Sequence, residues 1–176
     1  MQLLPTLHTT RLVVRPHEIA DAPTVQRLAG AKQVADTTQH IPHPYEDGMA
    51  EAWISSRGDA FAHGEAATFA VVLRDGELIG AVGLTLHMAD KRAELGYWIG
   101  VPYWGRGYAT EAAAAVVAFG FEHLGLHRIH ASHLARNPAS GRVMQHLGMR
   151  YEGTLHDHVL KNGVFEDLVI YGIVRP

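Results

Sequence analysis

The sequence predicts a mixed α/β fold of the α+β type, in which a largely antiparallel sheet of about seven strands is flanked by about four helices. Segments typical of strands outnumber those typical of helices, and the two kinds are interleaved along the chain. Asp75-Gly76 and Asn162-Gly163 each join two β-rich runs, which indicates hairpins of antiparallel strands. No linker, repeat or charge block interrupts the 176 residues, so we expect one domain over residues 1–176 with its core in residues 10–174.

The first half of the chain predicts two strands that form a hairpin, preceded by one strand and two helices. The run TRLVVRP predicts a strand that ends at Pro16, because proline cannot donate a ladder hydrogen bond. The segment DAPTVQRLAG predicts a helix with Asp21 as its N-cap and Gly30 just beyond its end. The irregular segment QHIPHPYEDG then leads into a helix around MAEAWISSRGDAF. The hairpin at Asp75-Gly76 lies within ATFAVVLRDGELIGAVGLTLH.

The second half continues the alternation of strands and helices. We predict a strand in KRAELGYWI, a helix in TEAAAAVVAFGFEHLG, a strand in HRIHASHL and a helix in PASGRVMQHLG with Pro138 near its start. A final hairpin, MRYEGTLHDHVLKNGVFEDLVIYGIV, turns at Asn162-Gly163. The first of these helices has an apolar face at helical spacing, formed by Ala113, Val116, Gly120, Phe121 and Leu124.

Composition and charge exclude several classes of function. The contents of 47% hydrophobic and 19% charged residues are typical of a folded globular protein. The net charge of −3 provides no basic surplus for a nucleic-acid backbone, and no apolar run approaches the roughly 20 residues of a membrane span. Since the chain contains no cysteine, disulfides, thiolate metal sites and a cysteine nucleophile are excluded. No secretory signal pattern is visible, and we expect a cytoplasmic protein.

Two glycines interrupt the segment YWIGVPYWGRGYATEAAAA, which covers residues 97–115. Because glycine costs roughly 1 kcal/mol relative to alanine inside a helix, Gly105 and Gly107 indicate a positive φ or a close backbone approach. Such a turn, followed by the unpaired N–H groups of a helix start, can form a nest for phosphate. Ala109 is small enough to leave the nest open, and Arg106 could meet a second phosphate. A plain connecting turn is the alternative that the spacing leaves open.

Five segments in this order resemble the GNAT superfamily of N-acetyltransferases, in its branch of RimJ/RimL-type ribosomal-protein N-terminal acetyltransferases. They are TRLVVRP, PYEDGMAEAWI, AELGYWIGVPYWGRGYATEA, NPASGRVMQHLGMRYEG and NGVFEDLVIYGI, between Thr10 and about Val174. The resemblance implies that acetyl-CoA is the cosubstrate and lies in a V-shaped split between the strands AELGYWI and HRIHASHL. It also implies a β-bulge near Gly96 and Tyr97 that aims backbone groups at the thioester.

The resemblance implies a set of contacts to acetyl-CoA. The family's pyrophosphate loop, Gln/Arg-x-x-Gly-x-Gly/Ala, falls on residues 104–109, where Trp104 replaces the usual Gln or Arg. Backbone groups from Trp98 to Val101 are expected to pair with the pantetheine arm, Asn137 to hydrogen-bond it, and Ser140 to lie near the sulfur. The expected cosubstrate contacts are Trp98, Ile99, Val101, Gly105, Arg106, Gly107, Tyr108, Ala109, Thr110, Asn137 and Ser140.

The reaction that the resemblance implies is direct attack of an amine on the thioester. A backbone N–H near Ile99 can stabilise the oxyanion, and Glu94 can remove the amine proton. Pairing with Arg92 or with a neighbouring strand is the structural alternative for Glu94. Ser140 is the candidate acid for the leaving sulfur, with helix capping as its alternative. The reserve acids, each alternatively a core tyrosine with a hydrogen-bonded hydroxyl, are Tyr97 and Tyr171.

The 13 histidines raise the question of a metal. His156 and His158 share one strand face, but two ligands without a third make a weak site. His127, His130 and His133 are three residues apart, so consecutive members of this set lie on opposite faces of a strand. We therefore predict that catalysis requires no metal.

The acceptor is expected to bind opposite the CoA, against the mixed aromatic and acidic stretch from Gln39 to Trp53. Aromatic faces and carboxylates both attract an ammonium group. Packing of Trp53 and Tyr45 on the sheet is the alternative, and His43 is a further candidate base. The expected acceptor contacts are His40, Tyr45, Trp53 and His87.

The nature of the amine is the least determined feature. An α-amino group, with an ordinary pKa of about 8, needs less help from a base than a lysine side chain at about 10.4. We therefore expect acetylation of the N-terminal α-amine of a protein or peptide, a ribosomal protein being one candidate. The alternatives are a small-molecule amine such as a polyamine, amino sugar or antibiotic, and a non-catalytic acyl-CoA sensor. We expect a monomer or homodimer.

Overall fold

Eight strands form one sheet in the computed structural model, which describes residues 3–175. The strands are β1 (Leu7–His8), β2 (Leu12–Pro16), β3 (Ala66–Leu73), β4 (Leu78–His87), β5 (Arg92–Ile99), β6 (Arg128–Leu134), β7 (Arg150–Lys161) and β8 (Val164–Val174). Their order across the sheet is β1-β2-β3-β4-β5-β6-β8-β7, and only β5 and β6 pair in parallel. Residues 1, 2 and 176, at the ends of the predicted domain, lie outside the described residues.

Within residues 3–175, five α-helices cover the two faces of the sheet. They are α1 (Ala22–Ala29), α2 (Lys32–Thr37), α3 (Met49–Ala62), α4 (Tyr108–Glu122) and α5 (Pro138–His146). Alternate residues of β3 enter two different buried clusters, one shared with α1 and α3 and the larger one shared with α4 and α5. The predicted mixed α/β class is confirmed. The sequence did not predict β1 and α2, because two and six residues are too few for a periodic pattern.

Both predicted hairpin turns are confirmed by their backbone conformation. Gly76 has φ of 98° between β3 and β4, where few side-chain-bearing residues would fit. Asn162 and Gly163, between β7 and β8, have φ of 51° and 79°, the pair of positive values that a type I′ turn requires. The prediction that the first long strand ends at Pro16 is also confirmed.

Asp21 occupies the N-cap position of α1, but its side chain does not cap the helix as predicted. Its carboxylate instead accepts two hydrogen bonds from Arg15, each 2.8 Å long, and one from the N–H of Glu18 at 2.9 Å. Burial opposes ionisation of Asp21, but these hydrogen bonds and the Arg15 charge hold its pKa below the ordinary range. The residue therefore ties the end of β2 to the start of α1.

The sheet opens between β5 and β6, as the predicted split requires. The two strands pair only from Arg92 with Arg128 to Glu94 with His130. Beyond these residues β6 stays paired with β8, while β5 stays paired with β4. The C-terminal half of β5 therefore borders an open wedge.

The predicted bulge near Gly96 and Tyr97 is wrong. The register between β4 and β5 is continuous, with Gly83 opposite Gly96 and Val82 opposite Tyr97. The departure of β6 opens the wedge without any irregularity in β5.

Helix α4 buries the apolar face that the sequence predicts. Ala113, Val116, Gly120 and Phe121 are buried, whereas Leu124 lies beyond the helix end and packs partly buried on the same cluster. Among residues 3–175, no helix combines the length and the apolar character that crossing a membrane takes.

Candidate active site

The loop of residues 104–109 adopts the conformation that its glycines predict. Gly105 and Gly107 have φ of 74° and 79°, values that residues with side chains rarely adopt. Gly107 is the N-cap of α4, so the amides from Tyr108 to Thr110 in the first helical turn have no acceptor within the helix. These amides and the positive end of the helix dipole form a concave site suited to phosphate.

Arg11, at the start of β2, holds this loop in place. Its Nη1 donates to the carbonyl of Arg106 at 2.9 Å, and its guanidinium lies 4.6 Å from the centroid of the Tyr108 ring. Glu111 of α4 accepts hydrogen bonds from Arg11 Nε and Thr9 Oγ1, both at 2.6 Å. Burial opposes ionisation of Glu111, yet these hydrogen bonds hold its pKa below the ordinary range. No local sequence pattern predicts this contact, since Arg11 and Arg106 are 95 residues apart.

Backbone amides alternate in direction along the wedge side of β5. The N–H of Gly100 donates to the carbonyl of Ile79 on β4 at 2.8 Å. Because such bonds alternate along an antiparallel pair, the amide of Trp98 also points to β4, whereas the amide of Ile99 points into the wedge. The carbonyl of Ile99 already accepts a hydrogen bond from Trp104 Nε1 at 2.6 Å. Of the two backbone groups of Ile99 that face the wedge, the N–H is therefore the one available to a ligand.

A cavity of about 410 Å³ lies beside the loop, between the end of β5 and α5, and is called the loop cavity. Nine of the eleven predicted cosubstrate residues line it, and Val101 and Arg106 do not. Val101 belongs to a 3₁₀ turn, and the described contact of Arg106 is its carbonyl bond to Arg11. Arg142 and His146 of α5, which the sequence analysis missed, supply basic side chains instead. Arg142 follows Ala139 by three residues and His146 follows Arg142 by four, so all three share one face of α5. This helical spacing could have identified both residues from the sequence.

A second cavity of about 330 Å³, the sheet cavity, lies over the middle strands of the sheet. Its lining includes Trp53, Arg57 and Glu94, and it shares five residues with the loop cavity. The shared residues are Thr37, Thr38, Tyr97, Trp98 and Ser140. The two cavities therefore meet at the point where β5 leaves β6.

Ser140 and Tyr97 form a hydrogen-bonded pair at this junction. Their hydroxyl oxygens are 2.8 Å apart, and the Tyr97 hydroxyl also lies within donating distance, 3.0 Å, of the Ser140 carbonyl. The capping alternative for Ser140 is wrong, because Asn137 is the N-cap of α5 and Ser140 bonds Tyr97. Burial raises the pKa of Tyr97 to about 12, although the bond to Ser140 acts in the other direction. The Tyr97 hydroxyl is therefore protonated at neutral pH.

Tyr171, the other reserve acid, is a core residue. It is buried, and its hydroxyl accepts a hydrogen bond from Gln145 Nε2 at 3.1 Å. The ring of His133 stacks on it at a centroid distance of 5.9 Å. Since Tyr171 lines neither cavity, its predicted alternative as a core tyrosine is confirmed.

Glu94 projects into the sheet cavity, with a side chain that is 44% exposed. The Ser132 hydroxyl donates to Glu94 Oε1 at 3.0 Å and accepts a hydrogen bond from Gln39 Nε2 at 3.0 Å. His130 Nε2 lies 4.0 Å from Glu94 Oε2, and burial lowers the pKa of His130. The alternative pairing of Glu94 with Arg92 is wrong, but contact with the neighbouring strand is confirmed. A carboxylate oriented in this way and open to a cavity can accept a proton.

The segment of residues 37–41 passes over both cavities and is tied down at three points. Asn137 Nδ2 donates to the carbonyl of Thr37 at 3.2 Å, Lys161 Nζ donates to the carbonyl of Thr38, and Gln39 bonds Ser132. Asn137 lines the loop cavity as predicted, but its amide is engaged with this segment.

Two of the four predicted acceptor contacts line the sheet cavity, namely His40 and Trp53. Tyr45 packs against the cluster formed by α1 and α3, outside the sheet cavity. His87 is exposed at the end of β4, opposite Arg92. These two predicted acceptor contacts therefore lie outside the sheet cavity. Among the missed lining residues, Arg57 lies one turn after Trp53 on α3 and could have been found from that spacing.

Trp53 lines the sheet cavity and also packs against the buried cluster formed by α1 and α3. Its ring contacts His17 edge to face, with centroids 4.8 Å apart. The His17 side chain is fully buried, and neither ring nitrogen has a hydrogen-bond partner. Burial lowers the pKa of His17 to about 4, although the nearby Asp21 charge acts in the other direction. The imidazole behind Trp53 is thus neutral at physiological pH.

We expect His17 to make the fold less stable as the pH falls below 7. In the unfolded chain His17 titrates near its ordinary pKa of 6.5, whereas the folded protein keeps it neutral down to about pH 4. The unfolded state therefore binds more protons in this window, and the unfolding free energy drops by about 0.7 kcal/mol between pH 7 and pH 6. Urea unfolding of wild type and His17→Phe at both values measures the difference. Equal pH dependence in the two proteins would contradict this assignment.

The histidines are dispersed and do not form a cluster. Residues 3–175 contain no group of three His, Asp or Glu side chains placed to hold a metal ion. His133 is buried against Tyr171, His130 lies beside Glu94, and His156 pairs with Asp167 at 2.9 Å.

The split sheet, the glycine loop at a helix start and the two joined cavities agree with a family match. The model of the acetyltransferase (GNAT) domain matches residues 11–150. The chain belongs to the GNAT acetyltransferase family. It is therefore an N-acetyltransferase, and acetyl-CoA is its acetyl donor.

Relatives of this GNAT enzyme differ in the functions that they are given. Uncharacterized N-acetyltransferase YoaA of Bacillus subtilis is 31% identical over 190 residues, which cover 99% of each chain. Spermidine N(1)-acetyltransferase of Escherichia coli is 29% identical and covers 94% of this chain and 86% of its own. The structure of Mycobacterium smegmatis RimJ in complex with CoA-disulfide is 27% identical with a TM-score of 0.81, over 93% of this chain and 81% of that one.

Proposed function

We propose that this GNAT enzyme acetylates the N-terminal α-amine of a protein or peptide, with acetyl-CoA in the loop cavity and the acceptor in the sheet cavity. The observation that carries the proposal is the junction of the two cavities at Tyr97 and Ser140, with Glu94 in the sheet cavity. A thioester and an amine that enter from opposite sides would meet there, as direct attack requires. The similarity to RimJ, whose structure is a complex with CoA-disulfide, supports CoA as the ligand.

Glu94 accepts the amine proton, directly or through one water, while the amine nitrogen attacks the thioester carbonyl. Ser132 orients the carboxylate for this step. The carbonyl oxygen gains negative charge, and the Ile99 N–H in the wedge is placed to stabilise it. When the C–S bond breaks, Ser140 donates a proton to the sulfur and regains one from the Tyr97 hydroxyl. Solvent then reprotonates Tyr97 and takes the amine proton from Glu94.

The charged side chains that line the sheet cavity favour an acceptor with one amine over a polyamine. Among the described residues that line it, Glu94 is the one carboxylate and Arg57 is the one arginine. A polycation would lack carboxylates for its other amines and would meet the Arg57 charge. The similarity to spermidine N(1)-acetyltransferase keeps a small-molecule amine as the second candidate class.

CoA release from acetyl-CoA, measured with a panel of amines, tests the proposed function. The panel contains peptides with free N-termini, the same peptides with blocked N-termini and a free lysine, spermidine, and glucosamine. We expect release with free α-amines, at rates that depend on the first residues. A small amine turned over much faster than every peptide would overturn the acceptor assignment and leave the mechanism intact. CoA binding without release on any amine would contradict the proposed function.

We expect Ser140→Ala to lower kcat by about tenfold, with a larger loss at high pH. The substitution removes the donor to the leaving sulfur, and a hydrogen bond to a charged group is worth about 1.5–3 kcal/mol. The loss grows with pH because protons for the thiolate become scarcer in solution. A pH profile of kcat for wild type and Ser140→Ala, at saturating acetyl-CoA, measures the effect. Coinciding profiles would mean that the sulfur leaves without this donor.

Four statements remain predictions for this enzyme. They are a single domain over the whole chain, a cytoplasmic location, a monomer or homodimer in solution, and catalysis without a metal. Activity that a chelator abolishes and zinc restores would contradict the last of these.

A further inference from the structure

Arg57 is a partly buried cation on the wall of the sheet cavity. It lies in α3, and its Nε donates to the carbonyl of Trp53 at 3.0 Å, while its Nη2 donates to Ser56 Oγ at 2.7 Å. Its guanidinium carbon lies 5.3 Å from the centroid of the Trp53 ring. These contacts fix the guanidinium but leave its charge without a counterion.

No carboxylate of residues 3–175 lies within 4 Å of the Arg57 guanidinium, although the side chain is partly buried. Arginines that hold the fold together are each paired with a carboxylate, namely Arg11, Arg15, Arg128 and Arg136. Burial lowers the pKa of Arg57, as expected where an opposite charge does not compensate the loss of water. An acceptor that fills the sheet cavity would remove still more water from this cation. The cost is offset if the acceptor itself brings an anion.

The strands that lie beneath Arg57 and Glu94 set the length scale of such an acceptor. Thr85 of β4 lies opposite Glu94 of β5, and Ala66 of β3 lies opposite Thr85, so three adjacent strands form the cavity floor. Helix α3, which carries Arg57, packs on β3. Two strand spacings, roughly 10 Å, separate β3 from β5. An extended peptide covers this distance in about three residues.

We infer that the acceptor carries a carboxylate about two to three residues from its reacting amine, with the amine at Glu94 and the carboxylate at Arg57. This inference rests on the proposed function and adds the charge of the acceptor to it. The carboxylate is either an acidic side chain near the N-terminus of a protein or the free C-terminus of a short peptide. Both present the same planar anion, which the guanidinium can bind through two hydrogen bonds.

A matched set of peptides tests the inference and separates the two sources. Ala-Ala-Glu-Ala amide and Ala-Ala-Gln-Ala amide differ in one charge, while free tri-alanine and its amide differ in the C-terminal carboxylate. For wild type we expect a kcat/KM at least tenfold higher for the charged member of one or both pairs. We expect Arg57→Gln to abolish that preference. Arg27→Gln, an exposed arginine of α1, is the control and should keep the preference.

If turnover is too slow to compare rates, the affinity of each peptide can be measured instead. Calorimetric titration of the charged and neutral peptides into the CoA complex of each variant measures affinity without chemistry, and thermal unfolding confirms that each variant is folded. Peptides that are acetylated without any preference for the charged member would overturn this inference and leave the proposed function standing. Charged peptides that bind wild type and Arg57→Gln equally would also overturn it. Turnover of small amines and of no peptide would instead overturn the proposed function.

Discussion

Gly107→Val is expected to weaken CoA binding at least tenfold, a loss of about 1.4 kcal/mol or more. Gly107 has φ of 79° at the N-cap of α4, and a β-branched residue is a severe outlier in that conformation. An added Cβ would lie 3.4 Å from Arg11 Nη2, an ordinary van der Waals distance, so the strain comes from the backbone conformation. Relief of the strain would rotate the amides of the loop and of the first helical turn away from a common phosphate.

Gly48→Val is the matched control for this prediction. Gly48 has φ of 84° at the N-cap of α3, and a Cβ there would meet no other atom within 4 Å. Both variants carry the same kind of backbone strain and should lose thermal stability, but only Gly107→Val should lose affinity in a calorimetric titration with CoA. Wild-type CoA affinity in folded Gly107→Val would refute the phosphate site at this loop.

The features predicted correctly from the sequence are those that local signals encode. Asn162-Gly163 is one such signal, because two consecutive positive φ values suit few residue pairs. Gly105 and Gly107 are another, since their cost before a helix is explained only by a special backbone conformation. The same holds for the apolar face of α4, whose spacing repeats along one helix.

The contacts that assemble the site join distant parts of the chain, and no local pattern specifies them. Ser132, which orients Glu94, is 38 residues from it in the sequence. Gln39, which holds Ser132, is 93 residues from Ser132. The direction of each side chain depends on the strand register and on where β6 leaves β5. Tyr45 shows the converse case, because its residue type suits an acceptor site but its place in the fold directs it to the core.

The resemblance to the GNAT superfamily predicted where the wedge lies in the sheet, but it predicted local backbone and side-chain geometry less well. It placed the wedge beside β5 correctly, because that feature follows from strand order. It also implied a bulge near Gly96, which a continuous register with β4 excludes. Arg106 illustrates the same limit, since its place in the loop motif does not determine which way its side chain points. Arg142, from another helix, lines the cavity instead.

Glu94→Gln is expected to lower kcat/KM by about 10²–10⁴. The amide keeps the size of the side chain and can still accept the hydrogen bond from Ser132, but it cannot take a proton from the amine. CoA affinity should be unchanged, because Glu94 lines the sheet cavity and not the loop cavity.

Ser132→Ala separates the charge of Glu94 from its orientation. This variant keeps the carboxylate but removes the hydrogen bond to Oε1 and the link to Gln39, so we expect a smaller loss of kcat/KM than for Glu94→Gln. Steady-state rates of CoA release between pH 5 and pH 9, with the preferred peptide, measure both variants. If Glu94→Gln and Ser140→Ala both retain the wild-type rate, solvent takes the proton and catalysis depends mostly on the alignment of amine and thioester at the junction of the cavities.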